Sequence, residues 1–273
     1  MNREYWFFLV GILVVALPAL AAIAIKKLNL LEVRPDEQLA YKTVEGRTLS
    51  LHAFLAADAS DAQPRPAVLL FHGGRWLYGS PRAMYPQCQF FAAQGYHCFA
   101  AEYRLGANNR VDVRQLVDDA ADALRYLYDK ADTLLLDAAN IIVGGGSAGG
   151  HLAAAVGAQV PAVDAPLPAA LLLYNPMLDL APGTPDHHLV KDYWREVSPA
   201  HHITAALPPT LILVGSDDPE VPVATVNQFC DNAGEVYARC EVEVYEGQSH
   251  GFFNNEPYLT QTNARALAFL KSL

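Results

Sequence analysis

Basic residues are scarce in this chain: 19 Lys and Arg stand against 29 Asp and Glu, a formal net charge of −10 over 273 residues. Nucleic-acid binding rests on clustered Lys and Arg that neutralise phosphates, and no run of that density occurs. Nucleic acid is therefore excluded as a partner. Internal repeats are absent as well, and no low-complexity segment occurs outside one apolar stretch near the N-terminus, which excludes solenoids and disordered tails. Nine histidines include two adjacent pairs, His187-His188 and His201-His202. Neither pair has the helical spacing and third ligand of a zinc site, so no metal is expected and the pairs read as surface or cap residues. The glycine-rich turn at Gly144-Gly145-Gly146 has no Lys-Ser or Lys-Thr after it, so it is not a phosphate loop. No cofactor is called for.

What is present is apolar: 52% of the residues are hydrophobic, enough to bury one large α/β core. Residues 5–25 form a run of 21 without a charge, opening on Tyr5, Trp6, Phe7 and Phe8. As a helix this run would span about 30 Å, the thickness of a bilayer's hydrocarbon core. A soluble helix normally keeps a polar face, and this run has none. Residues 1–27 thus read as a membrane anchor. A cleaved signal peptide is the alternative, because Ala19-Leu20-Ala21 and Ala22-Ile23-Ala24 resemble small-residue cleavage sites. Residues 28–40 read as a juxtamembrane linker.

Orientation draws on two opposed signals. Arg3 precedes the apolar run while Lys26, Lys27 and Arg34 follow it, and an excess of basic residues marks the cytoplasmic side. Cys88 and Cys98, and then Cys230 and Cys240, are each ten residues apart, and each pair joins a helical stretch to the strand after it. Two bridges would suit an oxidising compartment. Small buried thiols are the other reading. The extracytoplasmic side is the placement carried forward.

Beyond the linker, residues 41–44 and 48–55 flank Glu45-Gly46-Arg47 and predict an antiparallel hairpin. From residue 67 short apolar runs alternate with longer helical stretches, the rhythm of a parallel sheet wrapped by helices. Strands are expected at 68–71, 98–101, 141–143, 169–174, 210–214 and 242–245. Helices are expected at 84–94, 113–130, 152–160, 223–233 and 264–270. Residues 176–207 show no clear period, hold both histidine pairs with Tyr193 and Trp194, and read as a modest cap within a single domain spanning 41–273.

Gly145-Gly146-Ser147-Ala148-Gly149 sits between the strand at 141–143 and an alanine-rich helix. A serine hydroxyl is a poor nucleophile at neutral pH, so it needs exposure, an adjacent base and nearby N–H donors. Both helpers follow in the chain. Asp217 and Asp218 lie just past the strand ending at Val214-Gly215, with Asp218 favoured as the acid and Asp217 as a turn residue. His250 lies just past the strand ending at Tyr245. Ligands bind at those carboxyl ends of strands in open α/β sheets. Ser147, Asp218 and His250 make a candidate triad in the order Ser, Asp, His. His72-Gly73-Gly74-Arg75-Trp76 follows the strand at 68–71, so the backbone N–H groups of Gly74 and Arg75, with that of Ala148, could form an oxyanion hole.

With these segments in hand, residues from about 42 to the C-terminus resemble the α/β-hydrolase esterases of the hormone-sensitive-lipase-like and acetylesterase/feruloyl-esterase-like groups. The resemblance is carried by His72 to Trp76, Glu102-Tyr103-Arg104-Leu105, Gly145 to His151, Gly215 to Pro222 and His250-Gly251-Phe252, in order and in spacing. It implies an α/β-hydrolase fold: a mostly parallel sheet, an N-terminal antiparallel hairpin and helices on both faces. It also implies hydrolysis of small-molecule esters, short-chain or acetyl esters preferred, through an acyl-serine on Ser147, with His250 as base and Asp218 as acid. Two positions depart from the lipase pattern: Arg75 stands where a third glycine is usual, and Gly146 where an acidic residue is usual. A serine peptidase, amidase or formamidase on the same triad is the alternative, and a non-catalytic small-molecule-binding protein of this fold is a further one.

Overall fold

A computed structural model describes residues 33–56, 63–108, 110–160 and 165–273. The anchor or signal expected at residues 1–27 lies outside the described residues, as does most of the linker. Among the described residues no helix is long and apolar enough to cross a membrane.

The hairpin comes first, with β1 (Glu37–Val44) antiparallel to β2 (Arg47–Phe54) around Glu45 and Gly46. Both turn residues take positive φ, 52° and 74°, the geometry of a two-residue hairpin turn. The strand starts earlier than its sequence suggests, since residues 37–40, read above as linker, already pair with β2 from Glu37 opposite Ala53. Between Glu37 and Ala40 only Leu39 packs on the core, too short a pattern to mark that start.

Six further strands follow: β3 (Arg65–Phe71), β4 (His97–Ala101), β5 (Leu136–Gly146), β6 (Ala170–Tyr174), β7 (Thr210–Gly215) and β8 (Cys240–Tyr245). Their order across one sheet is β1-β2-β4-β3-β5-β6-β7-β8, antiparallel through the first three and parallel from there on. The swap of β3 and β4 places β3 directly beside β5. Parallel strands need crossovers, and the longer ones here are helical: α1 (Tyr85–Ala93), α2 (Val113–Asp129), α3 (Ala148–Gly157), α6 (Val223–Glu235) and the closing α7 (Tyr258–Leu270). Two one-turn helices, α4 (His187–Val190) and α5 (Trp194–Val197), sit inside the segment at 176–207.

Successive residues of a strand point to opposite faces, and every residue of β4, β6 and β7 is buried, so both faces must be covered. Leu69, Phe71, Val143, Leu171 and Ile212 point into one core with Leu116, Leu124 and Leu127 of α2 and Leu152 of α3. The alternating residues Val68, Leu70, Ile142, Leu172 and Leu213 are equally buried on the other face, where α1 and α7 lie. The apolar stripe read in the sequence of α2, Leu116, Ala120, Ala123, Leu124 and Leu127, is fully inside. Its N-cap is Asp112, whose carboxylate accepts from the Arg114 N–H at 3.2 Å.

Cysteines pair as Cys88–Cys98 and Cys230–Cys240, with Cα separations of 5.0 and 5.1 Å. The first ties α1 to β4 and the second ties α6 to β8, so each staples a helix to the strand that follows it. Closing a loop of ten residues removes denatured-chain entropy amounting to about 2–3 kcal/mol. Replacing Cys230 and Cys240 together by Ala is therefore expected to lower the melting temperature by roughly 5–10 °C, measured by calorimetry under non-reducing conditions. An unchanged melting temperature would show that the second bridge does not form.

Candidate active site

β3, β5, β6, β7 and β8 each end at one edge of the sheet, and the residue runs just beyond them form the site. Ser147 follows β5 on a turn that is strained by design: its φ is 53° and ψ −119°, outside the regions favoured by L residues. That conformation lifts its side chain out of the strand and starts α3 at Ala148. The turn is possible because of what the flanking glycines lack. A Cβ on Gly145 would lie 2.5 Å from the Phe71 carbonyl oxygen, and one on Gly149 would lie 2.1 Å from the same atom. Strand β5 also runs three residues past the apolar stretch 141–143, because Gly144 to Gly146 pair with β3 and β6 by backbone alone.

The structure brings Ser147, His250 and Asp218 together. Ser147 Oγ is 2.8 Å from His250 Nε2, and His250 Nδ1 is 2.8 Å from Asp218 Oδ2 and 3.1 Å from Oδ1. The Asp218 side chain is fully buried, and its Oδ1 accepts the backbone N–H groups of Glu220 and Val221 at 2.8 and 2.9 Å. Asp217 is elsewhere: it is exposed, accepts from the Ser216 hydroxyl at 2.9 Å and donates its backbone N–H to Gln248. Burial pulls the His250 pKa down, but the hydrogen bond and charge of Asp218, with the charge of Glu220, more than offset it and leave it raised above 6.5.

The loop that carries two of the expected donors comes up against Ser147. Gly73 is pressed against Ser147, since a Cβ there would stand 3.2 Å from Ser147 Cβ. Among the described residues neither the Gly74 nor the Arg75 N–H meets an acceptor, and the Ala148 N–H opens α3, where a helix leaves its first donors unpaired. The loop is held from several directions. The Gly74 carbonyl accepts from Leu77 and Tyr78, and its φ of 126° suits glycine alone. Arg75 takes φ 53°, a cost for a side-chain-bearing residue, and its Nε donates to both oxygens of the buried Asp186 at 2.9 and 3.0 Å. Trp76 is buried edge-to-face on His151, whose Nε2 is 2.8 Å from the Val197 carbonyl. Thus the segment at 176–207 braces the loop through Asp186 and Val197.

Three residues enter that the sequence reading gave no role. Tyr103, fully buried, donates to the His72 carbonyl at 2.8 Å and stacks on the His72 ring with centroids 4.4 Å apart. Asn175 follows β6 just as Ser147 follows β5; its Oδ1 accepts the Gly251 N–H at 3.3 Å, and its amide nitrogen lies 3.4 Å from His250 Nε2. A polar residue straight after the apolar run Leu171-Leu172-Leu173-Tyr174 was the available signal. Glu220 completes the set, with Oε2 3.7 Å from His250 Nε2.

A cavity of about 330 Å³ opens over Ser147 and His250, walled by the Gly73 to Arg75 loop, Tyr78, Met84, Asn175, Glu220 and Phe253. A second, of about 420 Å³, adjoins it and is lined by residues 176–179, 183–185 and 219–222 with Thr225. A third, of about 440 Å³ around Arg47, Arg104 and Arg110, holds no nucleophile. Among the described residues no group of three or more His, Cys, Asp or Glu could hold a metal ion. His187 Nδ1 lies 2.7 Å from the Leu180 carbonyl, His202 Nε2 3.0 Å from that of Arg195, and His201 3.4 Å from Asp179. These contacts tie down the cap segment.

Burial drives the His72 and His151 pKa values down to about 4, against opposing backbone hydrogen bonds to Gly73 and Val197. The unfolded chain therefore binds more protons than the fold between about pH 4 and 6.5, so these two residues make stability fall on acidification through that window. His250 has the opposite sign: its contribution is complete below 6.5 and is lost as pH rises through its raised value. A histidine NMR titration should find His250 half-protonated above pH 6.5 and moved downward by Asp218→Asn, with His72 and His151 neutral at pH 6. A His250 midpoint unmoved by Asp218→Asn would rule out the contact.

Comparison with known proteins agrees with this fold. The family described as the α/β hydrolase fold matches residues 68–198. An esterase of the planctomycete Thermogutta terrifontis, solved with propionate and with butyrate bound, is 37% and 35% identical in the two structures. Each superposes with a TM-score of 0.79, covering 86% of this chain and 93% of that one. The same enzyme is also solved phosphoramylated by tabun. Among curated proteins, esterase LipC of Mycobacterium tuberculosis is 29% identical over 236 residues, 76% of this chain and 58% of its own length. Acylamino-acid-releasing enzyme 1 of rice is 26% identical over 269 residues, 85% of this chain and 33% of its own. The chain thus spans between a third and just over half of the length of these two curated relatives.

Proposed function

The chain belongs to the α/β-hydrolase fold esterases, and we propose that it hydrolyses small carboxylic esters through an acyl-serine on Ser147. The observation that carries this reading is the 2.8 Å contact between Ser147 Oγ and His250 Nε2. His250 takes the serine proton as Oγ attacks the ester carbon, and Asp218 fixes the tautomer and stabilises the imidazolium. The carbonyl oxygen becomes an anion held by the N–H groups of Gly74, Arg75 and Ala148. Collapse breaks the bond to the alcohol oxygen, which leaves with the proton from His250. Water then repeats the sequence on the acyl-serine and restores the hydroxyl.

A short acyl chain suits the cavity of about 330 Å³, closed on one side by Phe253, Met84 and Tyr78. The propionate and butyrate in the Thermogutta enzyme support the same size. The similarity to the rice acylamino-acid-releasing enzyme favours amide cleavage as a second reading on the same residues. The purified protein should hydrolyse p-nitrophenyl acetate and butyrate faster than the palmitate ester and faster than the matching anilides. Ser147→Ala should reduce kcat/KM at least about a thousandfold and abolish labelling by a fluorophosphonate. Because His250 must be neutral to act as base, kcat/KM should rise with pH through a value above 6.5. Activity that survives Ser147→Ala would sink the mechanism.

Tethering at the extracytoplasmic face of a membrane is part of the same proposal. It is supported by the charge-free run at residues 5–25 and by two disulfides, which persist in oxidising compartments. Expressed in its own cell, the protein should fractionate with membranes and take up a thiol alkylator only after reduction. Free thiols in the native protein would place the domain in the cytoplasm instead.

A further inference from the structure

The mechanism above leaves one carboxylate at the site unused. The Glu220 backbone N–H is held by Asp218 Oδ1, which fixes where its side chain starts, and its Oε2 comes within 3.7 Å of His250 Nε2. Among the described residues no Lys or Arg pairs with it. Arg75, the cation lining the same cavity, gives its hydrogen bonds to Asp186 and meets Glu220 through charge at a distance alone. The side of the site on which Glu220 stands follows from the chemistry. Nε2 returns the proton to the departing alcohol oxygen, so the alcohol part must lie against Nε2, and Glu220 lies there too.

The wall continues in the same character. Glu220 is shared by the adjoining cavity of about 420 Å³, where Pro176, Met177, Leu178 and Val221 give apolar surface. Asp179 adds a second carboxylate there, and no Lys or Arg lines that cavity. An alcohol group leaving Ser147 past Glu220 therefore enters ground that is apolar and negatively charged. A carboxylate at Nε2 favours the imidazolium that forms there, and it attracts a cation carried on the alcohol part while repelling an anion.

We propose that Glu220 is a specificity-determining residue and that the site favours esters whose alcohol part carries a positive charge, while discriminating against anionic ones. This rests on the ester-hydrolase reading above. The test uses three thioacetates that share the acyl group and differ in the leaving part: acetylthiocholine, its neutral isostere S-(3,3-dimethylbutyl) thioacetate, and the anionic S-acetyl-2-mercaptoethanesulfonate. The kcat/KM of each is read by thiol release, for the full chain and for Glu220→Gln and Glu220→Asp.

Intrinsic reactivity cancels in the ratio of cationic to neutral substrate compared between variants. Glu220→Gln is expected to lower that ratio roughly three- to five-fold, the scale of a part-exposed ion pair, and to raise the relative rate on the anionic ester. Glu220→Asp, which keeps the charge, should retain most of the preference. His250 is faced by Asp218 and Glu220 from the β7–α6 loop, by the Ser147 hydroxyl and by the Asn175 amide, so Glu220→Gln should also move the acid limb of kcat/KM to lower pH. A folded, active Glu220→Gln enzyme with the wild-type ratio overturns the proposal. Wild type inert towards all three esters, and towards p-nitrophenyl acetate, overturns the ester-hydrolase reading itself.

Discussion

One carbonyl oxygen constrains the whole site. The Phe71 oxygen, at the end of β3, occupies the space where side chains on both Gly145 and Gly149 would begin. Because β3 and β5 are neighbours in the sheet, the backbone leaving β3 and the turn leaving β5 are pressed together without side chains between them. This contact sets the distance from the His72 to Arg75 loop to Ser147, and so brings N–H donors close to where the carbonyl oxygen of an ester on Ser147 would sit. A strand order that separated β3 from β5 would leave the same five-residue turn as an ordinary loop. The order β4-β3-β5 is thus a chemical requirement as much as a topological one.

Around that contact the chain spends stability locally and recovers it at longer range. Ser147, Arg75 and Trp76 all take positive φ, a strain of order 1–3 kcal/mol each. Arg75 is held by a buried carboxylate on Asp186, and Trp76 by close packing on His151. The departure of Arg75 from the three-glycine pattern thereby gains a physical reason: a side chain at that position reaches the cap segment and locks it to the loop. Gly146 has one as well. A Cβ there would stand 2.5 Å from the Phe253 ring, so the aromatic wall of the cavity occupies the room an acidic residue would need. At both positions the residue present coincides with a close contact in the fold.

Much of this was legible in the sequence. Short apolar runs alternating with helical stretches placed the parallel strands within three residues, save for the early start of β5 at Leu136, and the positions just past their ends gave Ser147, Asp218, His250 and the Gly74 loop. The choice of Asp218 over Asp217 rested on loop spacing, and burial separates the two in the fold. What stayed hidden has a common cause, contact between residues far apart in sequence. Tyr103 reaches back 31 positions to the His72 carbonyl, and Arg75 reaches forward 111 to Asp186. The early start of β1 was silent for a different reason. Of its first four residues only Leu39 packs on the core, and one apolar residue makes no alternation.

The two carboxylates that flank His250 divide one imidazole between them. Asp218 is buried at Nδ1, accepts two backbone N–H groups and has no freedom to leave. Glu220 is part-exposed at Nε2 and free to answer to whatever the cavity holds. Both raise the basicity of the ring, which favours proton uptake from Ser147 but narrows the range of pH in which the ring starts neutral. Burial works against both without cancelling them. A buried orienting charge and an exposed tunable one are therefore not redundant. The first makes the imidazole a base of fixed direction; the second couples its strength to the charge of the alcohol part seated against it.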